Sequence, residues 1–438
     1  MSAAARPPNI LFLLTDQQSA DAMSCAGNPW LRTPALDRLA ATGTRFERAY
    51  CTHPLCSPMR SSLFTGLMPH QTGTVDNNAP FPDADRCLGL GAWLARAGYR
   101  CATAGKGPQP VPQGFESLCG PGDARTTEAA LAFLERSGDG PFCLALSYNN
   151  PHNICEWARR QPLPEGPIPS APPEDWPTLP ANFGPAPFEA DAIRWHQQAR
   201  VHPHPERDWS PQEWREYLFA YYRLVEKVDA EIGRVLDALE AGPHADRTLV
   251  IFSSDHGNGN AAHRWNQKEV FFEEIVRIPL ILRPPGPARA ARTDDRHLIS
   301  LGLDLFPTAA EAAGLPIPEH LPGRSLLPLL DSTDGSALPG WRDQVVVETT
   351  LTLQGVPDKP RHRMARMVRT ERHKYAVYPF GRHREQLFDL DTDPGEMVNL
   401  AVSARYRVVL DDHRRRLAAW CRETEDVFHP DDTGLPPA

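Results

Sequence analysis

The stretch Cys51-Thr-His-Pro-Leu-Cys56-Ser-Pro-Met-Arg60-Ser-Ser-Leu-Phe-Thr65-Gly66 sets a thiol and a guanidinium four residues apart. Ser57 can cap a helix, and Pro58 suits its first turn. Cys56 then stands at a helix N-terminus, where unpaired N–H groups and the helix dipole favour an anion. Arg60 turns back toward the same end. A thiol in that field is acidified; the plainer reading is a buried thiol ahead of a capped helix. Three polar clusters elsewhere each follow a short apolar run. Thr15-Asp16-Gln17-Gln18 follows Asn9–Leu14, Asn149-Asn150-Pro151-His152 follows Phe142–Ser147, and Ser253-Ser254-Asp255-His256-Gly257 follows Thr248–Phe252.

Continuous apolar runs of this length predict buried parallel strands. Ligands of open α/β sheets sit just outside the C-terminal ends of such strands. Convergence of these three ends would assemble one site from distant sequence. Thr33-Pro34 predicts a helix start, with Gly43 closing that helix. Ser210-Pro211-Gln212-Glu213 is a capping box, and Leu218, Tyr221, Val225, Val228, Ile232, Val235 and Leu239 follow at spacings of three and four. That predicts an amphipathic scaffold helix of about eight turns. Residues 158–211 form a proline-rich excursion, with 13 prolines between Pro162 and Pro211. It reads equally as a stiffened surface loop or as a wall of the substrate cleft. Trp195, His196, His202 and His204 lie in it without an assigned role. From Trp341 the texture changes to short strands at Gln344–Glu348, Arg363–Arg369, Lys374–Tyr378 and Glu385–Leu390, then a helix at Arg405–Arg422. The expected division is a main domain over 1–340 and a C-terminal subdomain over 341–438, an α+β annex with a small antiparallel sheet.

Composition narrows the function class. Of 438 residues, 41% are hydrophobic and 23% charged, an ordinary globular balance. A net charge of −9 argues against a nucleic-acid partner while leaving room for a local cationic pocket. No apolar run is long enough to span a membrane, so no membrane partner is expected. The N-terminus shows no secretory signal, which sets the expectation of a cytoplasmic protein. Nine scattered cysteines without a CxxC pair exclude a zinc ribbon and a disulfide scaffold.

Cys56-Ser-Pro-Met-Arg60 resembles the C-x-P-x-R signature of the type I sulfatases, in which this cysteine is oxidised to formylglycine. Further segments resemble the family in order. They are Asn9–Asp16, Gly98–Lys106, Pro151-His152, Ser254–Gly257, Gln267-Lys268 with Phe272–Pro279, and Gln386–Glu396 to Asn399-Leu400. The resemblance covers nearly the whole chain. It implies an alkaline phosphatase-like α/β fold: a large, mixed, mostly parallel sheet sandwiched by helices.

The same resemblance implies the roles. Asp16, Gln17, Asp255 and His256, with an oxygen of residue 56, would ligate one divalent cation. Ca²⁺ is the first expectation, with Mg²⁺ or Mn²⁺ as alternatives. Hydrated formylglycine from Cys56 would be the nucleophile. Arg60, Lys106 and Lys268 would surround the sulfate, and His152 would protonate the leaving alcohol. The chain has only five lysines, and two fall on family positions. Asn77 is expected on the sulfate. Glu156, Trp157, His263 and Arg264 are expected on the leaving group, equally readable as plain packing. The implied partners are a small-molecule or saccharide sulfate ester and, during maturation, a formylglycine-generating enzyme.

Some positions depart from the family pattern. Gln17 and His256 stand where many sulfatases have Asp and Asn. That pairing resembles choline sulfatases, phosphonate monoester hydrolases and some glycan sulfatases. Pro108 stands where a histidine base is common, which makes His70 or a water the expected substitute. Leu67 replaces an Arg of the maturation signal. The expected function is sulfate monoester hydrolysis. A phosphonate or phosphate ester hydrolase on the same scaffold is the alternative, and a non-catalytic binder of sulfated ligands the third reading.

Overall fold

The computed structural model describes residues 6–81, 87–107, 111–198, 209–331, 338–352 and 363–428. A main sheet carries the architecture. Its strands are β1 (Asn9–Asp16), β2 (Thr44–Phe46), β4 (Arg100–Gly105), β5 (Glu116–Cys119), β6 (Phe142–Pro151), β7 (Thr248–Ser254), β8 (Leu280–Arg283) and β9 (Arg292–Asp294). The spatial order is β5-β4-β6-β1-β7-β8-β2-β9. The pairs from β5 to β7 are parallel, while β8 runs antiparallel to both β7 and β2. β3 (Ala49–Tyr50) and β10 (Ile299–Ser300) form a small separate ladder.

β1 is buried throughout, and its Ile10–Leu14 run is apolar because helices cover both of its faces. Phe12 and Leu14 pack in one cluster with Met59, Leu63 and Phe64 of the Cys56–Thr65 helix. Leu11 and Leu13 pack on the other face with Val228, Ile232, Val235 and Leu239 of the Pro211–Ala241 helix. Each such leucine removed from water is worth roughly 1.5–3 kcal/mol. The capping box at Ser210 forms as expected: Ser210 Oγ accepts from Glu213 N, and the Glu213 carboxylate accepts from Ser210 N. That helix runs 31 residues.

The C-terminal sheet orders β11 (Gln344–Thr350), β12 (Met364–Thr370), β13 (His373–Val377) and β14 (Glu385–Asp389) as an antiparallel meander. Alternation sends Val345, Val347, Met367 and Ala376 into the main core. It sends Val346, Val368, Tyr375 and Leu387 against Leu410, Leu417 and Cys421 of the Arg407–Glu423 helix. The sheet thus lies between that helix and the core of the main sheet. Among the described residues, no helix is long and apolar enough to cross a membrane.

The Pro34–Ala41 helix departs from its expected start. Thr33 is its N-cap residue, yet the Thr33 side chain makes no cap bond and instead accepts from Ser24 N. The cap comes from the distant Asp229, whose carboxylate accepts from Ala35 N at 3.1 Å and Leu36 N at 3.0 Å. Burial pushes the Asp229 carboxyl up to about 6 despite those two bonds. An unfolded Asp titrates near 3.9, so between about 4 and about 6 the folded state binds the extra proton. Stability therefore falls through this group as pH rises across that window. Thermal melting of wild type and Asp229→Asn from pH 4 to 7 should show a shallower decline in the variant. The variant's loss of one cap bond should cost about 1 kcal/mol at pH 7.

Candidate active site

Register along the sheet brings the strand ends together. Thr15 pairs with Ser254 and Asp16 with Pro151, so Asp16, Asp255 and His152 emerge at one edge. Gln17 turns the chain with a left-handed φ of 70°, unusual for a side-chain-bearing residue. Its N–H donates to Asp255 Oδ1 at 3.1 Å. On β4, Gly105 has φ 93° and passes so close to β6 that a Cβ would lie 2.1 Å from Ser147 O. Only glycine fits there. The next residue, Lys106, is fixed by its N–H on Ser147 O at 2.8 Å.

Cys56 is itself the first helical residue, with extended Leu55 as N-cap. The expected cap at Ser57 therefore does not form. Ser57 lies inside the first turn, and its N–H donates to Asn77 Oδ1 at 3.0 Å. Pro58 follows where no N–H partner exists. Cys56 Sγ lies 3.2 Å from Lys268 Nζ, 3.3 Å from His256 Nε2 and 3.6 Å from Asp16 Oδ1. Burial and Asp16 push the Cys56 thiol up, but Lys268 and Lys106 outweigh them and hold it below its usual value.

Arg60 holds the two carboxylates. Its guanidinium reaches Asp16 Oδ2 at 3.1 Å and Asp255 Oδ2 at 2.9 Å, and it also bonds Lys106 O and the Ser147 hydroxyl. Lys106 Nζ adds a contact of 2.7 Å to Asp16 Oδ2. Burial would raise the Asp16 carboxyl, but Lys106, His152, Lys268 and Arg60 hold it well below the usual range. Burial lowers Lys268 and Lys106, and the anions around them more than restore the charge.

The donor set fits a divalent ion. Ligand atoms of Asp16, Cys56, Asp255 and His256 all lie within 4.8 Å of one another, and all four residues are buried. His256 Nδ1 faces Gly257 O at 2.9 Å, which fixes the proton there and leaves the Nε2 lone pair facing the cluster. Gln17 Nε2 donates to Asn258 Oδ1 at 2.9 Å, and its amide oxygen faces the weak donor Cys155 Sγ at 3.9 Å.

The remaining expected residues separate. His152 joins the cluster, half-buried, and burial with Lys106 and Lys268 holds its imidazole well below the usual range. His70 does not join it. Its Nδ1 pairs with the Glu348 carboxylate and its Nε2 faces Thr424 O at 3.0 Å, so the ring binds β11 to the C-terminal helix end and is not available as a base. His263 is fully buried and stacks on Phe272 at 4.0 Å, because the loop's Trp265 and His263 fold inward as core. Burial, Arg194 and Lys374 push His263 down to about 3, and it presents no face to a substrate. Arg264 is exposed, with its guanidinium over Phe183. Glu156 lies 3.8 Å from Arg159. Trp157 packs edge-on against Trp209 and Tyr217, away from the thiol cluster. In the excursion, His196 is buried between Thr352 O and Glu269. Pro108, His202 and His204 lie outside the described residues.

Several positioning residues carry no motif. Tyr221 of the long helix donates to Gln17 O at 2.8 Å, and Tyr217 donates to Asn266 O at 2.7 Å and accepts from Asn258 Nδ2 at 2.9 Å. The scaffold helix thus also holds the ligand loops. The one available signal was a pair of tyrosines four apart on its apolar stripe, whose hydroxyls needed buried partners. Asp123 opens the Asp123–Arg136 helix and accepts from Asn149 N at 2.5 Å, Asn150 N at 3.2 Å and Asn150 Nδ2 at 2.7 Å. These bonds fix the turn that delivers His152. Burial pushes Asp123 up to about 6. Protonation below that pH should release the turn. Asp123→Ala should lower kcat by about tenfold or more with a smaller change in KM. Wild-type kcat should carry an acidic limb that the variant lacks, read from pH–rate profiles.

A family profile described as Sulfatase matches residues 8–315, and one described as N-sulphoglucosamine sulphohydrolase, C-terminal, matches residues 261–423. A Delta 4,5-hexuronate-2-O-sulfatase from Bacteroides thetaiotaomicron is 29% identical over 460 residues, covering 96% of this chain and 90% of that protein. The solved structure of a 2-O GAG sulfatase superposes with a TM-score of 0.84 at 27% identity, covering 99% of this chain and 97% of the other. A phosphonate monoester hydrolase of Agrobacterium radiobacter shares the fold, with a TM-score of 0.76 at 24% identity over 95% and 96% of the two chains. The profile match, the chain-long relatives and the buried Cys56–Arg60 cluster agree: this chain belongs to the sulfatase family and is a sulfuric ester hydrolase.

Proposed function

We propose that this enzyme hydrolyses a sulfate monoester carried by a saccharide, with Cys56 converted to formylglycine as the nucleophile. The observation that carries the reading is Cys56 Sγ, at a helix N-terminus, 3.2 Å from Lys268 Nζ and 3.6 Å from Asp16 Oδ1. Family membership implies a divalent metal and formylglycine at this position. Asp16, Gln17, Asp255 and His256 would hold the metal, and Ca²⁺ suits their oxygen-rich set. When bound, it would supply charge neutralisation and acidify a hydroxyl on residue 56.

The chain's own residues do the rest. Arg60 fixes both carboxylates through a planar fork, so their oxygens cannot swing toward the incoming anion. Lys106 and Lys268 place two ammonium groups where a sulfate's charge spreads. His152 is neutral in the free site because those cations repel its proton. A sulfate seated between them reverses the local field, raises the imidazole and lets it protonate the departing alcohol oxygen. A saccharide leaving group is supported by the relative that carries the name hexuronate-2-O-sulfatase and aligns over 96% of this chain. A formylglycine-generating enzyme is the maturation partner this reading requires.

Parallel assays with a sulfated monosaccharide, an aryl sulfate, a phosphonate monoester and a phosphodiester test the proposal. Higher kcat/KM for the sulfates is expected. Higher kcat/KM for either phosphorus ester would overturn it in favour of a phosphonate or phosphate ester hydrolase, whose fold this chain shares.

A further inference from the structure

Lys268 stands on a segment whose backbone takes left-handed geometry at both ends. His263, Arg264 and Glu269 have φ values of 53°, 55° and 73°, a region that residues with side chains seldom occupy. Such a shape persists only where its surroundings over-determine it. Here the holding groups come from one short helix of the proline-rich excursion, Asp191–Gln197. Arg194 Nη2 donates to His263 O at 2.9 Å, and Gln197 Nε2 donates to Arg264 O at 2.9 Å. Past Lys268, His196 Nε2 lies 3.2 Å from Glu269 Oε2. One helical turn thus grips the segment on both sides of the lysine. The helix is itself fixed to the C-terminal subdomain. Asp191 Oδ2 accepts from Arg382 N at 3.0 Å, Trp195 packs on Phe380 at 5.4 Å, and His196 Nδ1 faces Thr352 O at 2.8 Å.

Glu269 is where these contacts meet. Its Oε2 also accepts from Thr352 N at 3.2 Å, and its carbonyl accepts from Thr349 Oγ1 at 2.8 Å. Its N–H donates to Pro54 O at 3.1 Å, in the loop that leads into Cys56. The neighbouring Lys268 ammonium lies 3.2 Å from Cys56 Sγ. We propose that the Asp191–Gln197 helix is a clamp that sets where this ammonium stands, with Glu269 and Arg194 as positioning residues for the reaction. The inference rests on the reading of Lys268 as a cation that stabilises the sulfate. A lysine ammonium rides on a flexible four-carbon stem, so it is placed only as well as the backbone that carries it. Its charge helps most when it is set in place before the reaction begins. A displacement of about 1 Å at such a group costs up to about 100-fold in rate. The excursion thus acts on the reaction through Lys268.

The test uses the sulfate ester that the assays above turn over best. Glu269→Gly suits the left-handed backbone but lacks the carboxylate, so it should fold, with a melting temperature close to that of wild type. Its kcat/KM should fall about tenfold. Glu269→Gln keeps an acceptor oxygen for both His196 and Thr352, and should recover most of that loss. Arg194→Met, at the other end of the segment and only half-buried, should lose about threefold. Should Glu269→Gly not fold, Arg194→Met decides alone. Neither loss should add to that of Lys268→Met, because a clamp has nothing to place once the ammonium is gone. The Kd of inorganic sulfate on the unconverted protein, with Ca²⁺ present, should follow the same order without any turnover. Unchanged constants in Glu269→Gly and Arg194→Met, or losses that multiply with that of Lys268→Met, would overturn the clamp alone. Wild-type activity in Lys268→Met would overturn the Lys268 reading beneath it.

Discussion

Cys56→Ala is expected to lower turnover of any sulfate ester on the order of 10⁴-fold or more, because it removes the nucleophile at the cluster's centre. Folding should survive, since the side chain is small and the helix N-cap at Leu55 is unaffected. Cys56→Ser should be as inactive in a host whose maturation enzyme oxidises only cysteine, because the serine hydroxyl then stays unoxidised. The matched control is Cys51→Ala. Cys51 is equally buried and lies five residues upstream, so a general thiol effect would touch both. Burial and Asp255 push the Cys51 thiol well up, which keeps it a neutral packing group. Its loss should leave kcat within about threefold, as for a conservative core change. Activity assays of the three variants, each with a melting curve, decide the matter. Comparable losses for Cys51→Ala and Cys56→Ala would remove the special role of residue 56.

The second large effect is on Arg60. Arg60 is 2% exposed, and its guanidinium stands between two carboxylates that are fully buried. Arg60→Ala leaves Asp16 and Asp255 facing each other without that bridge. Removing one partner of a buried ion pair costs roughly 3–5 kcal/mol, so a clear fall in thermal stability is expected together with loss of activity. Divalent cation should recover part of the stability by replacing the missing positive charge, and the recovery should exceed what the same ion gives wild type. Arg60→Lys keeps the charge but lacks the planar fork, so it should recover stability better than catalysis. Denaturation with and without the ion reads both variants. A stable Arg60→Ala that responds to the ion no more than wild type does would show that the carboxylates do not form the ion's site.

Much of this architecture is legible in the sequence. The runs at Asn9, Phe142 and Thr248 read as buried parallel strands, and their polar ends do converge. The Ser210 box and the C-terminal strands lie within a residue or two of their expected bounds. Strands such as β2, β3, β9 and β10 were not legible, because two or three residues carry no periodicity. Local cap rules also failed where tertiary partners did better. Asp229 replaced the Thr33 side chain, and Asn77 supplied the acceptor for the Ser57 N–H. The same limit governed the substrate residues. His70 and His263 have side chains suited to chemistry, but one is held by Glu348 and the other is stacked in the core. Asp123 went unnoticed because an Asp opening a helix is ordinary. Its role comes from the Asn149–Asn150 turn lying across it.

Peptide mass spectrometry across Cys51–Arg60, on protein made in a host that carries a formylglycine-generating enzyme, is the most direct measurement. The expected result is an aldehyde, or its hydrate, at residue 56 with a free thiol at residue 51, in a fraction that tracks specific sulfatase activity. Fully unmodified Cys56 in active enzyme would contradict the mechanism.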